Sequence, residues 1–436
     1  MKKLLYLFLL LSLSIHVAKA QETIYPAPAQ SKVIAVTNGM IHVGNGQVIE
    51  KGTVIFEKGK ITYVGTTPKI PSGAELIDAG GKHVYPGLIL SNSDLGLREV
   101  GSGTRSTNDN AELGDINPNV RSIVAYNTDS KIINTLRTNG ILMAHVVPAG
   151  GVISGTSSVV QLDAWNWEDA AYQSDAGLRF NMPSLLNRPN PYATFFGRQQ
   201  AGDPIRASMD RIESVRSFLR EARAYSLEEK HNNSNLKYAA VAGLFNKTKK
   251  LYVYCDLVKE MLIAVDMAKE FDLDLVIVGG SESYRIADVL QKNKIPVILS
   301  QMHSLPTMAD DDVDQPYKTP AILQKAGVLF AINDEDGQTR GRNLMFNAGT
   351  AVAYGLTKEE ALSAITLNPA KILGIDQKTG SIEVGKDANI VISKGDLLDM
   401  RNSVVTEAFI QGRKIEMNDK HKQLYDRYNH KYGIGD

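Results

Sequence analysis

The sequence contains very little cysteine, and this scarcity excludes two kinds of stabilising site. Cys255 is the only cysteine among 436 residues, so the chain forms neither an internal disulfide bond nor a zinc site built from several thiolates. A hydrophobic fraction of 43% is typical of a globular protein with a sizeable core. We therefore expect the fold to depend on that core rather than on covalent cross-links.

The sequence also lacks an excess of charge of either sign. Lys and Arg together number 48, and Asp and Glu together also number 48. A concentration of basic residues is the usual electrostatic signature of proteins that bind nucleic acid or an anionic membrane. We therefore expect neither a nucleic acid nor an anionic membrane as a partner.

Long apolar runs are scarce, and the clearest one lies in the first twenty residues, MKKLLYLFLLLSLSIHVAKA. Lys2 and Lys3 are followed by the apolar run Leu4–Ile15 and then by Ala18-Lys19-Ala20, which has the small-x-small form of a cleavage site. An apolar run of about 12 residues is too short to span a bilayer. These features predict a signal peptide cleaved after Ala20, a periplasmic or extracellular location, and no membrane span in the mature chain.

The pattern of strands and helices predicts a two-part organisation. Residues 31–78 and the last part of the chain are rich in β-branched residues separated by glycine turns, which is typical of β-meanders. Between them, most clearly in residues 251–300, apolar strands alternate with helices, which indicates parallel βαβ units. About seven barrel strands can be predicted in this way. A barrel flanked by a small β-sandwich built from both termini explains this order.

Four segments of the chain resemble the amidohydrolase superfamily, near its imidazolonepropionase-like and dihydroorotase-like members. They are AELIDAGGKHVYPGLI (74–89), GGVISGTSSVVQL (150–162), LVIVGGSESYRIADVL (275–290) and LNPAKILGIDQKTGSIEVGKDANIVI (367–392). The first resembles the start of the family's first barrel strand, and the last resembles its C-terminal signature. The resemblance covers nearly all of the mature chain. It implies an α/β fold, namely a TIM-like (β/α)8 barrel of the amidohydrolase type with a small β-sandwich domain built from both termini.

The resemblance and the strand pattern together predict four regions. The signal peptide is residues 1–20, and the N-terminal part of the β-sandwich is residues 21–85. The barrel of the metal-dependent hydrolase type is residues 86–370. The C-terminal part of the sandwich and a tail are residues 371–436.

The family's chemistry is hydrolysis of non-peptide C–N bonds at the C-terminal ends of the barrel strands. It uses one or two divalent metals, which activate a water molecule and polarise a carbonyl. By resemblance, Asn92 and Asp94 occupy the two histidine positions after the first strand. Tyr254 and Gly279 occupy the histidine positions of the fifth and sixth strands. Every histidine ligand is thus replaced, and we assign none of these four residues as a metal ligand of the family's kind.

Other residues of the expected pocket follow from the same resemblance. Glu335 occupies the position of the catalytic acid after the eighth strand, and Asp336 is its neighbour. Gln161 occupies the position of a lysine found after the fourth strand in some members. Asp256 follows the fifth strand, and His303 follows the strand IPVILS, so both are expected at the same face of the barrel.

The combination of an intact family framework and missing ligands favours a secreted amidohydrolase-like protein whose metal site is lost. Such a protein has no predicted cofactor and acts as a non-catalytic binding module, a pseudoenzyme, or as a partner subunit. We expect a homodimer, or a heterodimer with an intact amidohydrolase paralogue, and a small-molecule ligand in the old pocket.

Two alternatives remain open at the level of sequence. The first is an active hydrolase in which Asp94, Asp256, Glu335 and Asp336 supply oxygen ligands to Mg²⁺, Mn²⁺ or Ca²⁺, or act without metal by acid–base chemistry. The second is a module that binds carbohydrate or peptide through the pocket and its loops.

Overall fold

A computed structural model of the chain describes residues 24–99, 108–186, 203–228, 230–231, 233–300, 302–335 and 339–434. The predicted signal peptide and Asp336 lie outside the described residues. Within them, no helix is both long enough and apolar enough to cross a membrane.

The N-terminal part of the chain forms most of one eight-stranded sheet. Its strands are β1 (Ile34–His42), β2 (Val48–Glu57), β3 (Lys60–Gly65), β4 (Glu75–Asp78) and β5 (His83–Pro86). β1 is central, because it pairs antiparallel with β2 and parallel with both β4 and β5. This matches the β-rich pattern that the sequence predicts for residues 31–78.

The middle of the chain forms a second eight-stranded sheet, the barrel. Its strands are β6 (Leu88–Ser93), β7 (Ile141–Val146), β8 (Ile153–Gln161), β9 (Ala171–Asn181), β10 (Lys250–Cys255), β11 (Leu275–Gly279), β12 (Val297–Leu299) and β13 (Phe330–Ile332). The strands lie in chain order around the sheet. Near the seam between β6 and β13, the side chain of Asn333 accepts a hydrogen bond from the Asn92 N–H and donates one to the Asn92 carbonyl. The expected TIM-like barrel is confirmed.

The barrel differs from the sequence prediction at β8 and β9. β8 runs antiparallel to both β7 and β9, whereas the remaining neighbours are parallel. The strand β9 was not predicted, because Asp175 and Arg179 interrupt its apolar pattern. In the structure, Asp175 has a left-handed φ of 54°. β8 and β9 therefore form an antiparallel pair rather than two further βαβ units.

The helices pack mainly on the outside of the barrel sheet. They are α1 (Ser122–Ala125), α2 (Lys131–Thr138), α3 (Trp167–Ala170), α4 (Pro204–Ser226), α5 (Leu236–Phe245), α6 (Val258–Phe271), α7 (Ala287–Lys292), α8 (Gln315–Ala326), α9 (Leu344–Ala353), α10 (Lys358–Ser363), α11 (Leu367–Leu373) and α12 (Lys420–Tyr432). Two short 3₁₀ segments are Ser283–Ile286 and Gly341–Asn343. The longest of these helices, α4, buries Ile212, Val215 and Leu219 at helical spacing.

The C-terminal part of the chain returns to the first sheet. It contributes β14 (Ile390–Ser393), β15 (Val405–Ile410) and β16 (Arg413–Lys414), and β14 pairs antiparallel with β5. The aromatic rings of Phe56 and Phe409, one from each end of the chain, lie 5.2 Å apart in a separate hydrophobic core. The small β domain is therefore built from both termini, as the sequence predicts. The residue boundaries given above for each region stay predictions.

Candidate functional site

A cavity of about 290 Å³ opens at the carboxyl ends of β10 to β13. Tyr254, Asp256 and Glu335 contribute polar side chains to its wall, and Leu299 and Met302 contribute apolar ones. The carboxyl ends of barrel strands are where loops from several strands converge. The fold therefore gathers these residues at one mouth, although they are far apart in the sequence.

Tyr254 and Glu335 are joined across this mouth. The Tyr254 hydroxyl donates a hydrogen bond to the Glu335 carboxylate. Burial raises the pKa of Glu335 to about 7, whereas the positive charges of Arg179 and Arg340 oppose the shift and the negative charge of Asp94 adds to it. At neutral pH this carboxyl group can therefore both accept and release a proton.

Arg179 lies beside this pair and was missed by the sequence analysis. It belongs to β9, and its guanidinium carbon is 4.8 Å from the centroid of the Tyr254 ring. Its Nε donates a 2.7 Å hydrogen bond to Asn181 Oδ1, and burial lowers its pKa. The sequence feature that could have identified Arg179 is a single charged residue between two apolar ones, Leu178 and Phe180. Both of these neighbours are fully buried in the structure.

Asn92 and Asp94 lie at the end of β6, as the resemblance predicts, but both are engaged with neighbours. The backbone N–H and carbonyl of Asn92 bond to the Asn333 side chain, and Asn92 is buried. The carboxylate of Asp94 is 3.1 Å from Arg98 Nε. The negative charge of Asp94 is therefore balanced by a nearby arginine.

Gly279 ends β11 in a conformation that disfavours the family's histidine. Its φ is +95°, a region that side chains other than glycine rarely adopt. A Cβ atom there would lie 2.9 Å from Asp256 Oδ1, and that same oxygen accepts a 3.1 Å hydrogen bond from the Ser281 N–H. A larger residue at this position therefore requires a shift of both the backbone and Asp256.

The remaining predicted site residues are not all brought together. Gln161 pairs with Met143 in the first half of β7, and its side chain bonds to Asp163 and Arg413. It therefore lies toward the opposite end of the barrel from the cavity. His303 does not line the cavity, since its Nε2 is 2.7 Å from Thr350 Oγ1 on α9. Asp336 lies outside the described residues.

Comparisons with known proteins point to one superfamily. The Amidohydrolase family model matches residues 317–415. An imidazolonepropionase of Mesorhizobium japonicum is 24% identical over 399 residues, which span 83% of this chain and 90% of that protein. A solved amidohydrolase structure from Thermotoga maritima MSB8 matches with a TM-score of 0.77 and 27% identity, over 88% of this chain and all of that one. These matches support the assignment of the chain to the amidohydrolase superfamily.

One relative in the amidohydrolase superfamily is much longer than this chain. Amidohydrolase tasK of Hapsidospora irregularis is 20% identical over 383 residues, which span 80% of this chain. The same match covers only 38% of that protein's length. This likeness therefore concerns one part of that longer protein.

The described residues at the barrel mouth do not fit the metal centre of the amidohydrolase superfamily. Within the described ranges, no group of three or more His, Cys, Asp or Glu side chains is arranged to hold a metal ion. Two of the acids proposed as oxygen ligands, Asp94 and Asp256, already bond to Arg98 and to the Ser281 N–H. Arg179 adds a permanent positive charge beside Tyr254. A divalent cation close to that guanidinium would be repelled.

Proposed function

We propose that this amidohydrolase-superfamily protein binds a small molecule at the barrel mouth and does not carry out metal-dependent hydrolysis. The observation that carries the proposal is the position of the Arg179 guanidinium against the Tyr254 ring. Tyr254 occupies a histidine position of the family, so a fixed cation stands next to a position where the family has a metal ligand. A protein cation there disfavours a divalent one.

The cavity itself supports a binding role. A volume of about 290 Å³ is close to the lower limit of ordinary small-molecule sites, which begin at roughly 300 Å³. Apolar side chains such as Leu299 and Met302 and polar residues such as Asp256 and Ser281 all line it. Such a mixture is typical of sites that bury a small ligand and fix its orientation with a few polar contacts.

The proposal includes export and a partner. The basic start, the apolar run and the cleavage-site pattern of residues 1–20 support secretion to the periplasm or the exterior. A family member that has lost its catalytic activity can be retained as the partner subunit of an active one. We therefore propose a homodimer or a heterodimer with an intact paralogue. Light scattering and a pull-down from native extract test this part, and a strict monomer with no co-purifying hydrolase argues against it.

Elemental analysis tests the central part of the proposal. Protein purified without chelators should contain well below one equivalent of zinc. It should not hydrolyse cyclic amides, lactones or N-acyl amino acids, with or without added Zn²⁺, Mn²⁺, Mg²⁺ or Ca²⁺. Stoichiometric zinc would overturn the proposal. Activity that appears only with Mg²⁺ or Mn²⁺ and disappears in Asp94→Ala would favour the oxygen-ligand alternative.

Metal-free acid–base chemistry is a second candidate, favoured by the pKa of Glu335 near 7. A general acid or base works best when its pKa lies close to the operating pH. The same substrates assayed without metal across pH 5–9 test this candidate. A rate that follows ionisation of one group near pH 7 and is lost in Glu335→Gln would support it, and a flat, background-level profile would exclude it.

A further inference from the structure

Arg179 is largely buried, yet no described carboxylate lies within ion-pair distance of it. Its contacts within the described ranges are the hydrogen bond from Nε to Asn181 and the stacking on the Tyr254 ring. Neither of its two terminal amino groups bonds to a described residue. Burial of a guanidinium without a counter-ion is unfavourable, and the lowered pKa of Arg179 has the same cause.

The acids nearest to Arg179 are engaged elsewhere. Asp94 forms an ion pair with Arg98 at 3.1 Å. Glu335 accepts the hydrogen bond of Tyr254, and burial raises its pKa to about 7, so much of it is protonated at neutral pH. These two groups attract Arg179 from a distance but do not give it a paired anion. Within the described ranges, the positive charge of Arg179 therefore lacks the partner that buried arginines usually have.

We propose that Arg179 binds the carboxylate of the ligand that occupies the barrel mouth, an inference that rests on the binding function proposed above. The hydrogen bond to Asn181 and the Tyr254 ring hold the guanidinium plane in one orientation. Its two terminal amino groups are thus left for the two oxygens of a carboxylate. This fork-to-fork geometry is the strongest form of arginine–carboxylate recognition.

Charge balance favours a singly charged carboxylate over a phosphate. One carboxylate neutralises one guanidinium. A phosphate dianion would place an additional negative charge close to Asp94 and Glu335, and like charges at such distances repel in a poorly solvated site. The ligand group bound by Arg179 is therefore a monoanion.

The cavity next to Arg179 indicates the rest of the ligand. Arg179 does not itself line this cavity, but it stacks on the ring of Tyr254, which does. Leu299, Met302 and Leu305 give the cavity an apolar wall. The hydroxyl of Ser300, also in the wall, is buried and has no hydrogen-bond partner among the described residues. A neutral polar group of the ligand, such as an amide, would satisfy it. The ligand class is thus a small carboxylic acid with an apolar side chain and a neutral hydrogen-bonding group.

Calorimetric titration with matched probes tests the inference. N-acetylleucine has the proposed features, and N-acetylleucinamide differs from it only in lacking the negative charge. For so small a probe we expect a Kd on the order of 1 mM for the acid, and binding at least about tenfold weaker for the amide, since a hydrogen bond to a charged group contributes this much or more. Inorganic phosphate should bind more weakly than the acid.

Three variants localise the effect. Arg179→Met should abolish the preference for the acid, and Arg179→Lys should retain only part of it, because lysine keeps the charge but loses the fork. Arg211→Met is the matched control, since Arg211 is an exposed residue of α4 that pairs with Asp115, and it should keep the full preference. Thermal unfolding of each variant shows whether it is folded, and the lysine variant is decisive if the methionine variant is not.

The possible outcomes separate this inference from the proposed function. Wild-type protein that is free of metal and inactive, but binds acid and amide equally or binds neither, would overturn the role of Arg179 and leave the metal-free reading intact. Bound zinc with hydrolytic activity would overturn the proposed function even if the acid were preferred. If both Arg179 variants kept the full preference for the acid over the amide, the assignment of Arg179 as the carboxylate-binding residue would also be overturned.

Discussion

The hydroxyl of Tyr254 donates a hydrogen bond to the carboxylate of Glu335, which joins the fifth and eighth barrel strands at the mouth of the cavity. The family resemblance predicts that Tyr254 occupies a histidine position and that Glu335 occupies the position of the catalytic acid. Each side chain is therefore engaged by the other. This contact makes the protonation of Glu335 part of the energetics of the fold.

Glu335 should make the protein less stable as the pH rises. Its folded-state pKa is about 7, above the usual value of 4.5, so its stabilising contribution is complete below pH 4.5 and is lost as the pH rises through 7. The loss is at most about 3 kcal/mol. Glu335→Gln keeps an oxygen acceptor for Tyr254 and removes the titration. Its melting temperature should therefore exceed that of the wild type at pH 8 and match it near pH 4.5.

Thermal unfolding across this pH range checks the prediction. Glu50→Gln is the control, since Glu50 is exposed, and it should follow the wild-type profile. The expected titration would be contradicted if the difference in melting temperature between Glu335→Gln and the wild type were the same at pH 8 as at pH 4.5.

His145 should have the opposite effect. It is buried inside the barrel, its Nδ1 donates to the Ser91 carbonyl, and burial lowers its pKa from 6.5 to about 4. Its neutral form is thus favoured in the fold, and stability is lost as the pH falls from 6.5 toward 4. The expected loss by pH 4.5 is roughly 2–3 kcal/mol.

Urea unfolding at pH 7 and pH 4.5 measures the stability that is lost through protonation of His145. His145→Gln should be less stable than the wild type at pH 7, because it disturbs buried hydrogen bonds, but it should lose less stability on acidification. His430→Gln, at an exposed position of α12, should show the wild-type difference between the two pH values. An equal acid-induced loss in wild type and His145→Gln would be evidence against the prediction.

Asp163 should be among the most sensitive charged residues of the chain. Its side chain is completely buried and accepts from Arg137, from Arg413 at 3.0 Å and from the Ala27 N–H at 2.9 Å. Asp163→Asn leaves the buried Arg137 and the partly buried Arg413 without their anion, which should cost about 3–5 kcal/mol of stability.

Asp175→Asn is the matched comparison for Asp163→Asn. Asp175 pairs with Arg121 at 2.7 Å, but the arginine side chain is 45% exposed. Its loss should cost no more than about 1 kcal/mol. Denaturant unfolding of both variants would test the contrast, and equal losses would show that burial of the Asp163 network contributes nothing extra.

Removal of metal should leave stability unchanged. A ligand that binds the folded state raises the melting temperature, and a structural metal does so strongly. Overnight dialysis against EDTA should therefore not change the unfolding curve, and added Zn²⁺ should not restore or raise it. A drop after dialysis that zinc reverses would show a metal centre that the described residues do not suggest.

Export can be tested on the chain itself. The mature protein should begin at Gln21, as N-terminal sequencing of periplasmic or secreted material would show. Ala20→Arg should block cleavage, because the processing site requires a small residue there. Cytoplasmic material that still begins at Met1 in the wild type would defeat the prediction.

The fold could be predicted largely from local patterns. The alternation of strands and helices over residues 251–300 and the segment at 367–392 both lie within short stretches of sequence. Such patterns depend on side-chain periodicity and on turn residues, which are local properties. The antiparallel pair β8 and β9 could not be predicted in this way, because charged residues disguise the apolar face of β9.

The sequence by itself determined that no histidine stands at Asn92, Asp94, Tyr254 or Gly279, since residue identity at aligned positions needs no coordinates. Only the tertiary structure decided which contacts the residues at these positions make. Tyr254 and Glu335 are 81 residues apart, and Arg179 reaches them only because β9 lies beside β10 with this side chain toward Tyr254. Burial and long-range pairing shift the pKa of Glu335 and leave Arg179 without an ion-pair partner among the described residues. Both exist only after the strands have assembled into the barrel.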